Sequence, residues 1–289
     1  MTSGLVYYHH PDNDQFSLDF VNPNRDEIED RLKRYDNTTE TRVRSYDLDD
    51  EVHVIYVKTN DVDEAENVQY DFDAAFTKMD SEIRPIVRET LEVFKRIQER
   101  KHHEEGVPLD AYKGIEIDRI PDALEQVHWS STVPETGGRI ASNLVLCHAL
   151  PNANHRTAFG MLETYLKAVD SSFRLPSMVT DDYDWQRWVD EYIVDSKRLL
   201  TVRRNTGPFR YLRSHGCETV RRKGGIELRL SNFDLEMTKH EALVNYAKKH
   251  ERRTTAFVET ILQKMNHGEL VEKPAIERSE FAEYVRGLD

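Results

Sequence analysis

Cysteine is scarce in this chain, with Cys147 and Cys217 the only two in 289 residues. So few thiols in so long a sequence read as reduced and intracellular rather than as a disulfide scaffold. Long apolar runs are missing as well. No stretch approaches the ~20 residues that a membrane-spanning helix needs, and Met1 to Pro11 lacks the basic-then-apolar order of a secretory signal. Positive charge is also in deficit: 40 Lys and Arg face 53 Asp and Glu, a net charge of -13. Nucleic-acid phosphates are held by clustered Lys and Arg, so this balance disfavours a general nucleic-acid binder. The expected setting is cytoplasmic, with no membrane partner. Hydrophobic residues at 38% support a core, and charged residues at 32% support long exposed helices. No internal repeat or low-complexity segment interrupts the chain.

Residues 1–75 are acidic and rich in Asp and Asn. Met1 to Thr39 shows no clear period, so an irregular start is expected. His9 and His10 beside Asp12 and Asp14 offer metal-ligand chemistry, but nothing there fixes the ligands, and a solvated terminus is the simpler expectation. Val43–Leu48 and Val52–Val57 alternate around Asp49-Asp50 like two strands. From Asp80 the period becomes helical, with Ile83, Ile86, Val87, Leu91, Phe94 and Ile97 on one face and Arg100 to His103 at the basic end.

Residues 106–138 carry Pro108, Gly114, Pro121, Pro134, Gly137 and Gly138 and read as loop-rich, with Gly114–Ile120 alternating like a short strand or flap. Arg139–Cys147 and Thr157–Val169 read as helices, the second with Phe159, Leu162, Leu166 and Val169 apolar. Trp185, Trp188, Val189, Tyr192 and Ile193 mark a further helix over residues 181–199, its aromatic stripe assigned to core. Residues 197–229 reverse the charge, and Thr219-Val220 and Ile226–Leu230 predict a hairpin over Gly224-Gly225. That basic stretch has two readings, a surface for phosphate, RNA or an acidic partner, or a counter-charge for the acidic N-terminal third. Helices over residues 238–265 and 275–287 end the chain. The resulting expectation is a mainly α protein. It has a small β-containing N-terminal region (1–75), a helical domain (76–205) and a C-terminal α+β extension with a basic hairpin and helices (206–289).

Polar chemistry concentrates in Cys147-His148-Ala149-Leu150-Pro151-Asn152-Ala153-Asn154-His155-Arg156-Thr157-Ala158, between two helical patterns. His148 has the imidazole of a general base near neutral pH. Asn152, Asn154 and the backbone N–H groups opening the next helix suit an anion, and Arg156 can fork onto phosphate oxygens. The competing reading is structural, because Asn-x-Asn commonly caps a helix. His148 and His155 are seven apart, which is not a zincin spacing. A Cys147–His148 dyad is disfavoured because helical neighbours point about 100° apart.

The segment His148-x-Leu150-x-Asn152-Ala153-Asn154-His155-Arg156-Thr157-Ala158 resembles the signature of the Fic/Doc family, and its Ala-Asn-x-Arg-Thr-Ala form is closest to the Doc branch. The resemblance implies a Fic/Doc-like helical bundle. It also implies an enzyme that moves phosphate or AMP from a nucleoside triphosphate such as ATP, with Mg²⁺, to a hydroxyl side chain of a protein target. A toxin with an antitoxin partner is one setting it implies. By position His148 is the catalytic base, and Asn154, His155, Arg156 and Thr157 bind the nucleotide phosphates. Asn152 is the metal position, and Leu150 anchors the loop. The family places its target with a flap upstream, for which residues 114–121 or 129–138 are the candidates.

Three residues depart from the family pattern. Asn152 is neutral where the family is acidic. His155 replaces a Gly or Lys. Phe159 stands where AMP-transferring members carry a second arginine. These departures motivate the alternative of a catalytically weak or inactive nucleotide-binding regulatory module.

Overall fold

The computed structural model describes residues 4–36, 39–59, 72–106, 108–109, 111, 113–175 and 183–288. In chain order the elements are β1 (Leu5–Tyr7), β2 (His9–His10), β3 (Asn13–Asn22), α1 (Arg25–Leu32), β4 (Thr39–Asp47) and β5 (Glu51–Thr59). They continue with α2 (Phe72–Thr77), α3 (Ile83–Glu105), α4 (Arg119–Glu125), α5 (Val133–Cys147), α6 (Asn154–Val169) and α7 (Tyr183–Ser214). The chain closes with β6 (Thr219–Arg221), β7 (Glu227–Arg229), α8 (Lys239–Lys264) and α9 (Arg278–Arg286). The protein is mainly α with a small β part.

Contacts divide the chain into two compact units, one formed by residues 1–60 with 194–248 and the other by 61–193 with 249–289. The three consecutive regions expected from the sequence therefore do not map one to one onto compact units. Two of the three divisions, at 193/194 and 248/249, fall inside the long helices α7 and α8, where composition gives no sign of a boundary.

In the first unit, β2-β3-β5-β4 form a four-stranded sheet and β1-β6-β7 a three-stranded one. The expected β4–β5 hairpin is present, in register from Thr39↔Thr59 to Asp47↔Glu51. Strand β5 lies between two neighbours, and Val52 through Tyr56 are all buried. The expected β6–β7 hairpin also forms, pairing Val220 with Leu228. Strand β1 joins its other side in parallel, Leu5 opposite Thr219. Phe16, Leu18, Tyr56, Phe209, Leu212 and Tyr246 sit in the shared core. Within α7, Asn205 leaves helical geometry at φ -126 and Pro208 lies three residues on. A proline inside a helix deletes a ladder hydrogen bond and kinks it there.

Two expectations for this unit are corrected. Met1–Thr39 is not irregular over its described residues, because it holds β1, β2, β3 and α1, the last capped by Asn24 Oδ1 accepting from Asp26 N–H at 2.8 Å. His9 and His10 are not a solvated terminus. They form β2 on the edge of the sheet, and His10 is buried with its ring edge-on to Tyr56 at 5.2 Å.

Burial, reinforced by Arg222 and Lys223, holds the His9 imidazole down at about 4 from its ordinary 6.5. The folded state therefore keeps His9 neutral while the unfolded chain binds a proton below about 6.5. The stability due to neutral His9 is fully present above that pH and is lost as pH falls toward 4. Urea unfolding at pH 7.5 and 4.5 should show that His9→Gln loses about 2–3 kcal/mol less than wild type over this interval. Equal losses would show that His9 is not depressed.

The basic stretch 197–229 meets neither expectation in simple form. Lys223 does reach Asp14 at 3.5 Å, but Arg198 pairs with Asp195, Arg213 with Glu236 and Arg221 with Glu227 at 2.5–2.9 Å. Arg198, Arg203 and Arg222 also donate to the carbonyls of Glu227, Leu243 and Lys197. Much of this charge is thus used locally within one unit.

In the second unit, α5 packs on α6 and α4, α6 packs on α3, and α9 closes against α3 and α6. Helix α3 buries Ile83, Ile86, Val87, Val93 and Phe94 and ends at Gly106 in the left-handed region, φ 69. Residues 102–105 are its last turn, as the charge pattern indicated. Helix α5 starts six residues before Arg139, with the Glu135 carboxylate accepting the Thr132 N–H at 3.1 Å. Gly137 and Gly138 therefore lie inside a helix and not in a loop. Gly114–Ile120 is not a strand; it turns directly into α4. The aromatic stripe is core, with Tyr192 and Trp188 stacked on Phe257 at ring separations of 4.0 and 4.8 Å. Residues 181–182 and the side chain of Trp185 lie outside the described residues.

Candidate functional site

Helix α5 stops because His148 adopts φ 50, ψ 46, a left-handed conformation that costs a residue with a Cβ about 1 kcal/mol. Ala149, Leu150 and Pro151 then turn inward and are buried. Leu150 thus holds the loop to the core, in the position expected of it. Ala153 takes a second left-handed conformation, φ 53, and α6 begins. Two such residues five positions apart persist only where surrounding contacts hold them.

Asn154 supplies those contacts. Its Oδ1 accepts the Leu150 N–H at 3.1 Å and its Nδ2 donates to the Leu150 carbonyl at 3.0 Å. The side chain is 7% exposed and closes the loop on itself. Asn152 Oδ1 accepts the Ala153 N–H at 2.6 Å. Neither amide caps α6 in the usual sense, and the N-cap residue Ala153 gives no side-chain hydrogen bond. The first N–H groups of a helix have no intrahelical partner, and a helix N-terminus carries partial positive charge.

Arg156 is exposed in that first turn and His155 is half-buried, whereas Thr157 is 1% exposed and faces the interior. Thr157 Oγ1 is buried and meets no hydrogen-bond partner among the described residues. Thr90, Thr164, Thr201 and Thr254 each donate to the carbonyl four residues back. The main chain of Thr157 does bond Ala153 O at 2.9 Å, but its hydroxyl does not. An unmet buried hydroxyl costs about 1–3 kcal/mol.

A second segment lines the loop, signalled only indirectly by its residue pattern. Glu116 N–H donates to the Ala149 carbonyl at 2.8 Å, and Lys113 Nζ donates to the His148 carbonyl and to Glu116. Arg119 donates to Glu116 Oε2 at 2.8 Å. Burial pulls the Glu116 carboxyl up, but the bonds from Lys113 and Arg119 outweigh it and hold it below the ordinary range. The alternation across Gly114–Ile120 marked this segment for interest, although the contact is one backbone bond and a charge cluster. Burial pushes the Cys147 thiol up, and Sγ donates to Leu144 O at 3.2 Å.

The loop does not fit a protein-held Mg²⁺. The amide oxygen at the metal position already accepts a main-chain N–H, and residues 147–158 contain no carboxylate. Phe159 is 3% exposed and lies against Phe257 and Tyr192 at 5.2 and 5.8 Å, so it faces the core.

Residues 2–289 match one family model, described as a family of unknown function, DUF8172. The chain belongs to this family. No curated protein and no solved structure matches it. Among the described residues, no helix of this DUF8172 protein is long and apolar enough to cross a membrane.

Proposed function

We propose that this DUF8172 protein is a transferase of the Fic/Doc type, moving phosphate or AMP from a nucleoside triphosphate to a protein hydroxyl. The observation that carries the reading is the opening of α6. The N-terminus of α6 and the exposed Arg156 lie within one turn, directly after the loop that starts at His148. Helix N–H groups and a guanidinium stabilise charge on phosphate oxygens. His148, at the other end of the same loop, accepts the proton of the attacking hydroxyl. Asn154 acts in this scheme by holding the loop closed between base and cradle. His155 crowds the phosphate side. The loop residues are assigned no step through a metal, and Mg²⁺ enters with the triphosphate.

Purified protein incubated with cell lysate and ATP labelled at the α or the γ position is the test. Label should appear on protein from one position only, α for AMP transfer and γ for phosphate transfer. His148→Ala should lower the rate by about 10²–10⁴-fold, the usual contribution of a general base. No label above the His148→Ala control would overturn the reading.

A second reading is favoured by one observation: the amides of Asn152 and Asn154 are engaged by main chain. On that reading the site binds nucleotide without turnover and the protein is a regulatory module. Calorimetry would then show ATP binding that Arg156→Ala abolishes, with no label transferred.

A further inference from the structure

Asp170, His267 and Glu269 meet in the second unit, at the opposite end of α6 from the loop at His148. Asp170 follows the last residue of α6, and His267 and Glu269 lie in the turn after α8. One ligand atom from each lies within 4.8 Å of the other two. His267 Nδ1 stands 3.3 Å from Asp170 Oδ2 and 3.6 Å from Glu269 Oε1.

Those separations have a chemical meaning. Nitrogen and oxygen ligands bind Zn²⁺ at about 2.0–2.2 Å in a tetrahedron, so neighbouring ligand atoms stand about 3.3–3.6 Å apart. Both nitrogen–oxygen distances fall in that interval. The side chains are also oriented from outside the cluster. Asp170 Oδ1 accepts from Ser172 N–H and Oγ at 2.9 and 2.7 Å, which turns Oδ2 toward the imidazole. The His267 ring packs edge-on against the fully buried Phe173 at 5.3 Å. Such outer contacts are what fix first ligands in metal sites. Neither carboxylate has a Lys or Arg partner among the described residues; Lys273, the cation at this corner, donates instead to the Val169 carbonyl. Two carboxylates thus face one imidazole with no fixed positive charge to balance them.

We propose that Asp170, His267 and Glu269 bind a divalent transition ion of the zinc class, with water in the fourth position. The ion would tie the end of α6 to the turn that follows α8. The proposal is independent of the transferase reading and does not involve its residues.

Calorimetric titration of the full chain with Zn²⁺, and with Co²⁺ as a visible reporter of four-coordinate geometry, tests it. One equivalent of Zn²⁺ should bind and raise the melting temperature, and chelation should reverse the rise. His267→Ala and Glu269→Gln should each weaken binding at least ten-fold. The Glu269 side chain is 66% exposed, so its variant leaves the fold intact even if the histidine variant does not. The chain has 12 histidines, and His102-His103 is the obvious competing pair. Replacing both with alanine should leave the affinity unchanged. Absence of saturable binding overturns the proposal. So does a loss of less than ten-fold in Glu269→Gln, or binding that follows His102 and His103.

Discussion

Phe159→Arg is expected to unfold the second unit rather than create a better phosphate site. On the proposed transferase reading, the substitution supplies the second arginine of AMP-transferring Fic proteins, so it is the natural attempt to strengthen that proposed activity. The position does not permit it. Phe159 packs among Phe257, Tyr192 and their neighbours at the centre of an aromatic stack. Losing such a ring costs about 3–5 kcal/mol. An uncompensated buried guanidinium adds several more. Their sum is comparable to the whole stability of a typical domain, about 5–15 kcal/mol. Thermal unfolding followed by circular dichroism should show loss of the cooperative transition, whereas Phe159→Leu should retain it. If the arginine variant melts within a few degrees of wild type, residue 159 has access to solvent and the core assignment is wrong.

Gly138→Val should be nearly as damaging, against the direction of local propensity. Glycine inside a helix is worth about 1 kcal/mol less than alanine, so adding a side chain to α5 would stabilise an isolated helix. Here a Cβ would come within 2.6 Å of Thr255 Oγ1, 2.8 Å of Thr255 Cα and 2.9 Å of Thr255 N. The obstacle includes main chain, and rotating one side chain cannot clear it. The two helices are also pinned beside this contact by Ser142–His250 and Arg139–Glu251, both at 2.8 Å. Overpacking of this kind costs about 1–3 kcal/mol or more. Gly138→Ala should therefore be destabilising by about that amount, and Gly138→Val by more, in urea titrations. Gly207→Ala, which meets nothing within 4 Å, is the contrasting case. A more stable Gly138→Ala would mean that α5 and α8 separate easily.

The same positions show what could be read from residues alone. β4 and β5 were legible because β-branched and aromatic residues flank the Asp49-Asp50 turn, although β5 is buried on both faces from Val52 to Tyr56. β3 was not: Phe16 and Leu18 are buried in alternation, but a register shift between Leu18 and Phe20 moves the inward position to Val21. One extra residue breaks the period that identifies a strand. Gly137 and Gly138 read as breakers because glycine ends helices in isolation, and close contact between helices separated by residues 148–238 leaves no local trace. In the candidate site the sequence located the loop, its buried Leu150 and its exposed Arg156. It gave no means of knowing that Asn154 would turn back onto Leu150, or that Thr157 would lack the bond its counterparts make. Those outcomes depend on rotamers set by the fold.

The parallel pairing of β1 with β6 has a consequence for synthesis. Strand β1 leaves the ribosome early, yet its partner lies about 210 residues further along the chain. At about 5–20 residues per second, roughly 10–40 s pass before β6 is made. Throughout that time the apolar face formed by Val6, Phe16 and Leu18 lacks Phe209, Leu212 and Val220. The nascent N-terminal segment is therefore an exposed, strand-forming surface waiting for its other half, and expressing it alone reproduces that state permanently.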